Sequence, residues 1–321
     1  MIGILSNSFD PTFNLATEEY LLKNRTDDFF LLWRSEPTVI VGKHQNALAE
    51  INYTYLRERG IQLARRLTGG GTVVHDLQNL NFTYICNTQE GKHIDFKRYI
   101  EPIIGFLKSL GLDAHIGKTN DIRLGELKIS GNAEHVYKNR TLHHGTLLFN
   151  SDLNQLRRAI QTSPGRYTDK AVQSNRASVT NIAMHLKNKI SVEDFTSSLF
   201  KYLSELHQAQ TGSLAQDDIR IITKLAQEKY RSPHWIWSYS PKYTFQHSLD
   251  LNGTIWNINL LVESGIISAS GIENHILDSH WHGILNGCLH RYEELDQKLS
   301  EYFELKEVFG SKWNQFVEAF F

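Results

Sequence analysis

Cysteine is nearly missing from this 321-residue chain: only Cys86 and Cys288 are present. One pair without ligand spacing excludes a disulfide framework and a cysteine-built metal site, and it suits a reducing compartment. An excess of one charge is missing too. Lys and Arg number 34 against 35 Asp and Glu, a formal net charge of −1. That balance excludes general attraction to nucleic acid or to an anionic membrane, although it leaves a local basic patch open. No run approaches the roughly 18 apolar residues of a membrane span. Met1 to Asp10 has neither a basic start nor a long apolar stretch, so no secretory signal is expected and the expected location is cytoplasmic. What remains is ordinary for a globular protein, with 40% hydrophobic and 21% charged residues. A sizeable core can be buried, and the length suits one large domain plus a smaller one.

Neither an internal repeat nor a low-complexity tract is present. Apolar spacing predicts helices over Phe13–Asn24, Asn52–Arg59 and Phe96–Leu110; Asn52 is placed to cap the second helix, and Gly60 and Gly111 to stop the second and third. Phe29–Trp33 and Thr38–Val41 read as two strands joined by a turn at Ser35–Glu36–Pro37, and alternation predicts strands over Ile61–Arg66 and Leu80–Cys86. Asn120–Leu124, Leu127–Tyr137 and Thr141–Asn150 read as an antiparallel meander with turns at Gly125–Glu126 and Lys138–Arg140. Helices are expected near 152–160, 192–208 and 215–229. Ser232–Pro233, Trp235, Trp237 and Pro241 then break the pattern, which places a boundary near Tyr239–Gln246. Beyond it, Ser248–Ser270 reads as strands turning at Asn252–Gly253 and Glu263–Gly265, followed by helical stretches near 272–286, 291–303 and 311–320. The expected division is a catalytic domain over 1–240, a linker over 241–247 and a small accessory domain over 248–321.

Three stretches carry chemistry. In Arg65-Arg66-Leu67-Thr68-Gly69-Gly70-Gly71-Thr72-Val73-Val74-His75-Asp76, three glycines weaken regular structure, because glycine loses the most freedom on ordering. Without Cβ atoms, successive N–H groups can converge on an anion, and Arg66 offers a permanent fork of donors beside them. No Gly-Lys-Ser/Thr closes the loop, so it is not a P-loop, and no dinucleotide fingerprint is present. Three glycines alone fit a tight turn equally well.

In Leu127-Lys128-Ile129-Ser130-Gly131-Asn132-Ala133, alternation sets Lys128 and Ser130 on one face. A lysine among small residues can reach into a pocket, and a solvated strand lysine fits the same pattern. Asp121, one strand upstream, suits Mg²⁺ binding with substrate phosphates, or a turn aspartate following Asn120. Of the 15 histidines, only His75 and the adjacent His143 and His144 stand in informative company. On a strand the adjacent pair points to opposite faces, so structural hydrogen bonding fits better than metal binding.

In this order, the three stretches resemble the lipoate–protein ligase A family. Residues 65–76 match its Arg-Arg-x-Ser/Thr-Gly-Gly-Gly-x-Val-x-His-Asp marker throughout. Residues 128–133 match its Lys-x-Ser-Gly-x-Ala motif, and His143-His144-Gly145-Thr146-Leu147-Leu148 matches the run that follows. Further similarity lies in Phe13–Ala16, Leu32–Arg34, Val41–Asn46, Ser178–Asn181 and the Trp235/Trp237 pair, so the likeness spans nearly the whole chain.

The resemblance implies an α/β fold of the α+β type: mixed and antiparallel sheets flanked by helices, like biotin–lipoate ligase catalytic domains, with a small α+β domain after it. It implies an enzyme that joins lipoate to a carrier protein through an acyl adenylate, with ATP and lipoate as substrates and Mg²⁺ as cofactor. Lys128 would be catalytic. Arg66, Gly69, Gly70, Gly71, Thr72, Val73, Val74, His75, Asp121, Lys128, His144 and Thr146 would surround ATP or lipoyl-AMP. Asp121 would bind the metal, while Trp33, Val73 and Leu147 would wall the acyl chain. Octanoate would be a weaker substrate, since methylenes discriminate weakly in an apolar slot.

The expected partners are lipoyl domains of 2-oxo-acid dehydrogenase acyltransferase subunits or a glycine-cleavage carrier protein, met by a monomer. The same motifs fit a transferase that moves acyl groups between carriers without ATP. A biotin ligase fits less well. A non-catalytic carrier binder is opposed by the intact loop and lysine.

Overall fold

A computed structural model of the chain describes residues 1–88, 93–174, 177–251, 253–274 and 281–321. Contacts divide these residues into two units. The first comprises Met1–Lys43, Ile61–Arg158 and Ser174–Ser232; the second comprises His44–Gly60, Ala159–Gln173 and Pro233–Phe321.

The first unit is built on a six-stranded sheet. In chain order its elements begin with β1 (Ile2–Leu5), the helix α1 (Pro11–Asn24), β2 (Phe29–Trp33), β3 (Thr38–Val41), β4 (Gln62–Arg65), β5 (Val73–His75) and β6 (Asn79–Asn87). There follow β7 (Ala114–Ile116), β8 (Ile122–Leu124), β9 (Leu127–Ser130), β10 (Asn132–Tyr137) and β11 (Arg140–Leu148). The large sheet runs β10-β11-β6-β2-β1 and ends on Gln210–Thr211. Two three-stranded sheets, β4-β3-β5 and β7-β8-β9, complete the unit.

β6 and β11 pair antiparallel over their full lengths, from Arg140 opposite Asn87 to Leu148 opposite Asn79. On one face of this sheet the helices Phe96–Ser109 and Val192–Leu206 bury Ile100, Ile103, Leu107, Phe195, Leu199 and Leu203 against Phe82, Tyr84 and Leu147. Each such side chain contributes about 1.5–3 kcal/mol when fully buried.

α1 begins where Asp10 accepts from the N–H groups of Thr12 (2.9 Å) and Phe13 (3.3 Å), with Pro11 at the first helical position. That arrangement satisfies donors a helix start leaves open and suits proline's fixed φ. The helix buries polar residues along with apolar ones: Thr12, Asn14, Thr17, Glu18 and Glu19 are each 5% exposed or less. Buried polar groups of that number require partners.

In the second unit, Tyr167–Asp169, Tyr243–Leu251, Thr254–Glu263 and Ile266–Glu273 form an antiparallel sheet. Helices Tyr53–Arg59, Tyr292–Ser300, Phe303–Phe309 and Trp313–Glu318 belong to the same unit. Trp256 packs on Phe309 with ring centroids 4.6 Å apart. The fold expectation holds: mixed and antiparallel sheets are flanked by helices.

Three local expectations are corrected. Leu127–Tyr137 is two strands in two sheets, because the chain changes sheet at Gly131. There Gly131 N–H donates to Thr146 Oγ1 (3.2 Å) and its carbonyl accepts from Thr146 N–H (3.0 Å), so β11 captures the turning point. Residues 272–273 end a strand, so the helix expected over 272–286 does not begin there; 275–280, like Asn252 in the expected turn, lie outside the described residues. His234–Ser238, read as a break, is a wide helical turn. No helix of the described residues is long and apolar enough to cross a membrane.

Candidate active site

A cavity of about 220 Å³ opens in the first unit. Because that is several times the roughly 30 Å³ share of one water, it is a ligand-sized space and not a packing defect. Its walls include Arg66, Gly70, Gly71, Thr72, Val73 and His75 from the glycine stretch, Asp121 and Lys128 from the small sheet, and His144 and Thr146 from β11. Trp33 also lines it. Three stretches that are separate in sequence therefore meet at one space.

The glycine loop is held by backbone crowding and by arginine. A Cβ on Gly42 would stand 2.1 Å from the Gly70 carbonyl oxygen, so that position admits no side chain. Gly70 itself has φ +86°, a left-handed conformation that glycine alone adopts without cost. The two arginines divide the bracing. Arg65 donates to the carbonyls of Gly42 (3.0 Å) and Lys43 (3.1 Å). Arg66 donates from Nη2 to the carbonyls of Gly69 (2.6 Å) and Gly71 (2.7 Å), from Nη1 to Ile40 (3.2 Å), and from Nε to Thr68 Oγ1 (2.8 Å).

Most of the Arg66 fork thus serves the loop. Burial pulls its guanidinium down to about 10, and Glu18 opposes the shift. Beyond the loop, Thr72 N–H donates to Ser174 Oγ at 2.8 Å.

Lys128 lies between two backbone partners: its N–H donates to the Ser178 carbonyl (2.9 Å), and its carbonyl accepts from Thr180 N–H (3.1 Å). The Nζ would be 3.3 Å from a Cβ on Gly131, so the absent side chain leaves room for the ammonium. Burial draws Lys128 below the ordinary lysine range, with Asp121 opposing and Arg123 assisting.

Asp121 is 1% exposed. Burial pushes its carboxyl up, but the Thr119 hydroxyl (3.1 Å), Arg123 (2.8 Å) and Lys128 outweigh this and hold it below the usual range. It is the one carboxylate among the described lining residues. No group of three or more His, Cys, Asp or Glu that could hold a metal occurs among the described residues. A single buried carboxylate fits a Mg²⁺ ion whose other ligands are waters and substrate phosphates, the habit of this cation.

The histidines divide as strand alternation requires. His144 faces the cavity, and its Nε2 is 2.8 Å from Thr68 Oγ1. His143 faces the core, between Phe82, Phe96 and Tyr99. His75 is 3% exposed and lines the cavity, with Nε2 unpartnered among the described residues. Burial, then the charges of His144 and Arg66, depress it to about 3, so it is neutral at physiological pH.

Not every expected residue reaches the space. Val74 points to the other face of β5 from Val73 and His75, and Gly69 turns its carbonyl to Arg66. Leu147 is not in the cavity wall: one residue beyond Thr146, it faces the opposite side of β11 and lies fully buried in the helix-covered core. Sequence reasoning passed over Glu18, Thr68, Thr83, Thr119, Asn132 and Ser174. The first three are joined through His144 into a buried hydrogen-bonded chain beneath the loop, and the others touch the cavity or the loop. The Thr68 position inside the marker was the available signal; Glu18 had none, since a charged helical residue is read as solvated.

Mixed sheets flanked by helices, with a lysine and a braced glycine loop around one cavity, define a lipoate-ligase-like catalytic domain. The chain belongs to the lipoyl protein ligase A/B catalytic domain family, whose profile matches residues 10–204. It is 37% identical over 313 residues to lipoate–protein ligase 1 of Staphylococcus aureus, covering 95% of this chain and 94% of that protein. A solved structure of a bi-partite lipoate protein ligase of Thermoplasma acidophilum superposes with a TM-score of 0.64 at 25% identity, covering 74% of this chain and 95% of that one. A lipoate-protein ligase A bound with ATP gives a TM-score of 0.63 at 26% identity, covering 74% and 99%.

Proposed function

We propose that this chain is an ATP-dependent lipoate–protein ligase. The observation that carries the reading is the meeting of Lys128 with the Arg66-braced glycine loop at one cavity. Two anions, a carboxylate and a phosphate, repel each other, and a site that joins them must neutralise charge while holding them in line. Preorganised charge in a water-poor space is the usual largest contribution to such a step.

A lipoate carboxylate oxygen attacks the α-phosphorus of ATP. The bond to the β-phosphate oxygen breaks, pyrophosphate leaves, and lipoyl-AMP remains. The Lys128 ammonium lies against the carboxylate and the α-phosphate, and the loop N–H groups of Gly70 and Gly71 face phosphate oxygens, while that of Thr72 is held by Ser174. Arg66 keeps the loop in that shape. Mg²⁺ held by Asp121 and the phosphates would supply further neutralisation of charge. Trp33 and Val73 wall the acyl chain, and the cavity shields the mixed anhydride from water. A neutral lysine amine of the carrier then attacks the acyl carbonyl, the bond to AMP breaks, and the amine's surplus proton passes to solvent.

Relatives support this reading in their own terms: one similar ligase binds ATP, and the archaeal ligase belongs to a lipoylation system with an E2 lipoyl domain. The accessory role of 248–321 and a cytoplasmic setting belong to the same proposal. Incubating an apo lipoyl domain with this chain, lipoate, ATP and Mg²⁺ and weighing it by mass spectrometry tests the reading. One lipoyl group per domain, with AMP and pyrophosphate formed in step, is expected. Transfer from an acylated carrier with no need of ATP would favour the transferase reading, and no acylation from either donor would end both.

A further inference from the structure

Beneath the glycine loop runs a buried chain of polar side chains: Arg66, Thr68, His144, Glu18 and Thr83, closed by Trp33. Its distances are 2.8 Å from Arg66 Nε to Thr68 Oγ1 and 2.8 Å from Thr68 Oγ1 to His144 Nε2. His144 Nδ1 is 3.1 Å from both Glu18 carboxylate oxygens. Thr83 Oγ1 donates to Glu18 Oε1 at 2.6 Å, and Trp33 Nε1 donates to Thr83 Oγ1 at 3.1 Å.

The direction of every bond follows from the two ends. Arginine only donates, so Thr68 Oγ1 accepts from Arg66. Thr68 is fully buried, and among the described residues its own proton has one acceptor in reach, His144 Nε2. A buried hydroxyl proton left without an acceptor is costly. His144 Nε2 therefore carries no proton, and its single proton sits on Nδ1, where it is donated to Glu18. At the far end Thr83 accepts from the indole and gives its proton to the same carboxylate. Glu18 is the sink toward which donors from both directions point.

We infer that Glu18 is a positioning residue: through His144 and Thr68 it fixes the histidine as its Nδ1–H tautomer and orients Arg66, and so holds the glycine loop in its anion-binding shape. Glu18 is 2% exposed and not among the residues lining the cavity. It therefore acts at one remove. Arg66 Nη2 carries the effect onward, since the nitrogen that completes the fork grips Gly69 and Gly71. Glu18 also supplies the charge that opposes that of the buried guanidinium. The consequence for nucleotide affinity rests on the ligase reading above; the tautomer and the relay do not.

Long-range ¹H–¹⁵N correlation on the full chain labelled with ¹⁵N-histidine reads the tautomer, with His144→Gln to assign the signal. The wild type should show His144 protonated on Nδ1 and unprotonated on Nε2. Glu18→Gln can turn its amide toward Nδ1 as a donor, so the proton should move to Nε2 or exchange between the two nitrogens. In steady-state assays Glu18→Gln should raise the KM for ATP about tenfold, the effect of losing one charge-assisted hydrogen bond. The KM for lipoate should change far less. Thr68→Val should raise it similarly, and Thr68→Ser, which keeps the hydroxyl, should restore it. An Nε2–H tautomer in the wild type overturns the inference, as does an unchanged spectrum and KM in folded Glu18→Gln. A wild-type chain with the Nδ1–H tautomer, the shift in Glu18→Gln and no ligase activity would uphold the relay and defeat the ligase reading.

Discussion

His143 and His144 are neighbours on β11, and each faces a glutamate, yet the two pairs do opposite things. His144 and Glu18 lie on the cavity side and connect to the loop through Thr68. His143 and Glu134 lie on the helix-covered side, with His143 Nδ1 2.9 Å from Glu134 Oε1 and Nε2 3.3 Å from Asn132 Oδ1.

Asn132 donates its amide to the Asn120 carbonyl (2.8 Å), so its oxygen accepts and His143 holds its proton on Nε2. Nδ1 is then an acceptor, and Glu134 must bring the proton. Burial agrees: it pushes Glu134 up to about 7, the Asp95 N–H opposing, and drives His143 down to about 3, with His144 assisting. One strand thus carries two histidines in opposite tautomers, one serving a site and one serving a core. Residue type says nothing of this; the side chains each ring meets, from helix α1 for His144 and from the neighbouring strand for His143, decide it.

If the cavity face governs chemistry and the core face governs stability, substitutions should separate the two. The largest effect is expected for Lys128→Ala: pyrophosphate release should fall about hundredfold or more while the thermal midpoint barely moves. An equal loss in folded fraction would mean that the lysine is structural. Gly42→Ala tests the loop from outside the motif. Its methyl would meet the Gly70 carbonyl at 2.1 Å, and a displaced loop should cost about ten- to hundredfold in kcat/KM for ATP. Unaltered kinetics would show that the loop shape is not needed.

On the stability side the pH dependence has a definite sign. His75 and His143 are held near 3 against about 6.5 when unfolded, so the unfolded chain binds more protons. Their contribution is complete above about 6.5 and is lost as pH falls toward 3, at up to about 1.4 kcal/mol per pH unit for each. Urea titrations at several pH values below 6.5 should show stability falling with acid. A flat profile would place these histidines in water.

The smallest effect is the contrary one from Glu134. Raised in the folded state, it contributes fully below about 4.5 and loses that contribution as pH rises through about 7. Glu134→Gln carries a permanent donor for His143 Nδ1. Its stability relative to the wild type should therefore increase between pH 4.5 and 7; a constant difference would remove the proton from the pair.

Much of this arrangement was legible in the residues. The strands β2, β3, β6 and β11 were legible from their residues and turns, and strand alternation foretold that His143 and His144 would part to opposite faces. Arg66, Gly70, Gly71 and Lys128, singled out as candidates from the residues alone, line one cavity.

Three things were not legible, each for a physical reason. Leu127–Tyr137 reads as one strand with a glycine inside it, and Gly131 alone fits a bulge as well as a change of sheet; Thr146, fifteen residues away, makes the break. Leu147 is as apolar as Val73, and only the face of the strand separates core from cavity. α1 buries glutamates on a helix with no clean apolar face, and a reading based on amphipathicity sends them to solvent. Glu18 became visible only once Thr83 and His144 stood against it.

Lys128 and the loop braced by Arg66 are expected to hold one mixed anhydride. Calorimetric titration of a non-hydrolysable lipoyl-sulfamoyl-adenosine analogue into the wild type and Lys128→Ala measures it most directly. Binding by the wild type, weakened about tenfold or more in Lys128→Ala and in Gly42→Ala alike, is the predicted result. Equal affinity in all three folded proteins, or none in the wild type, would contradict it.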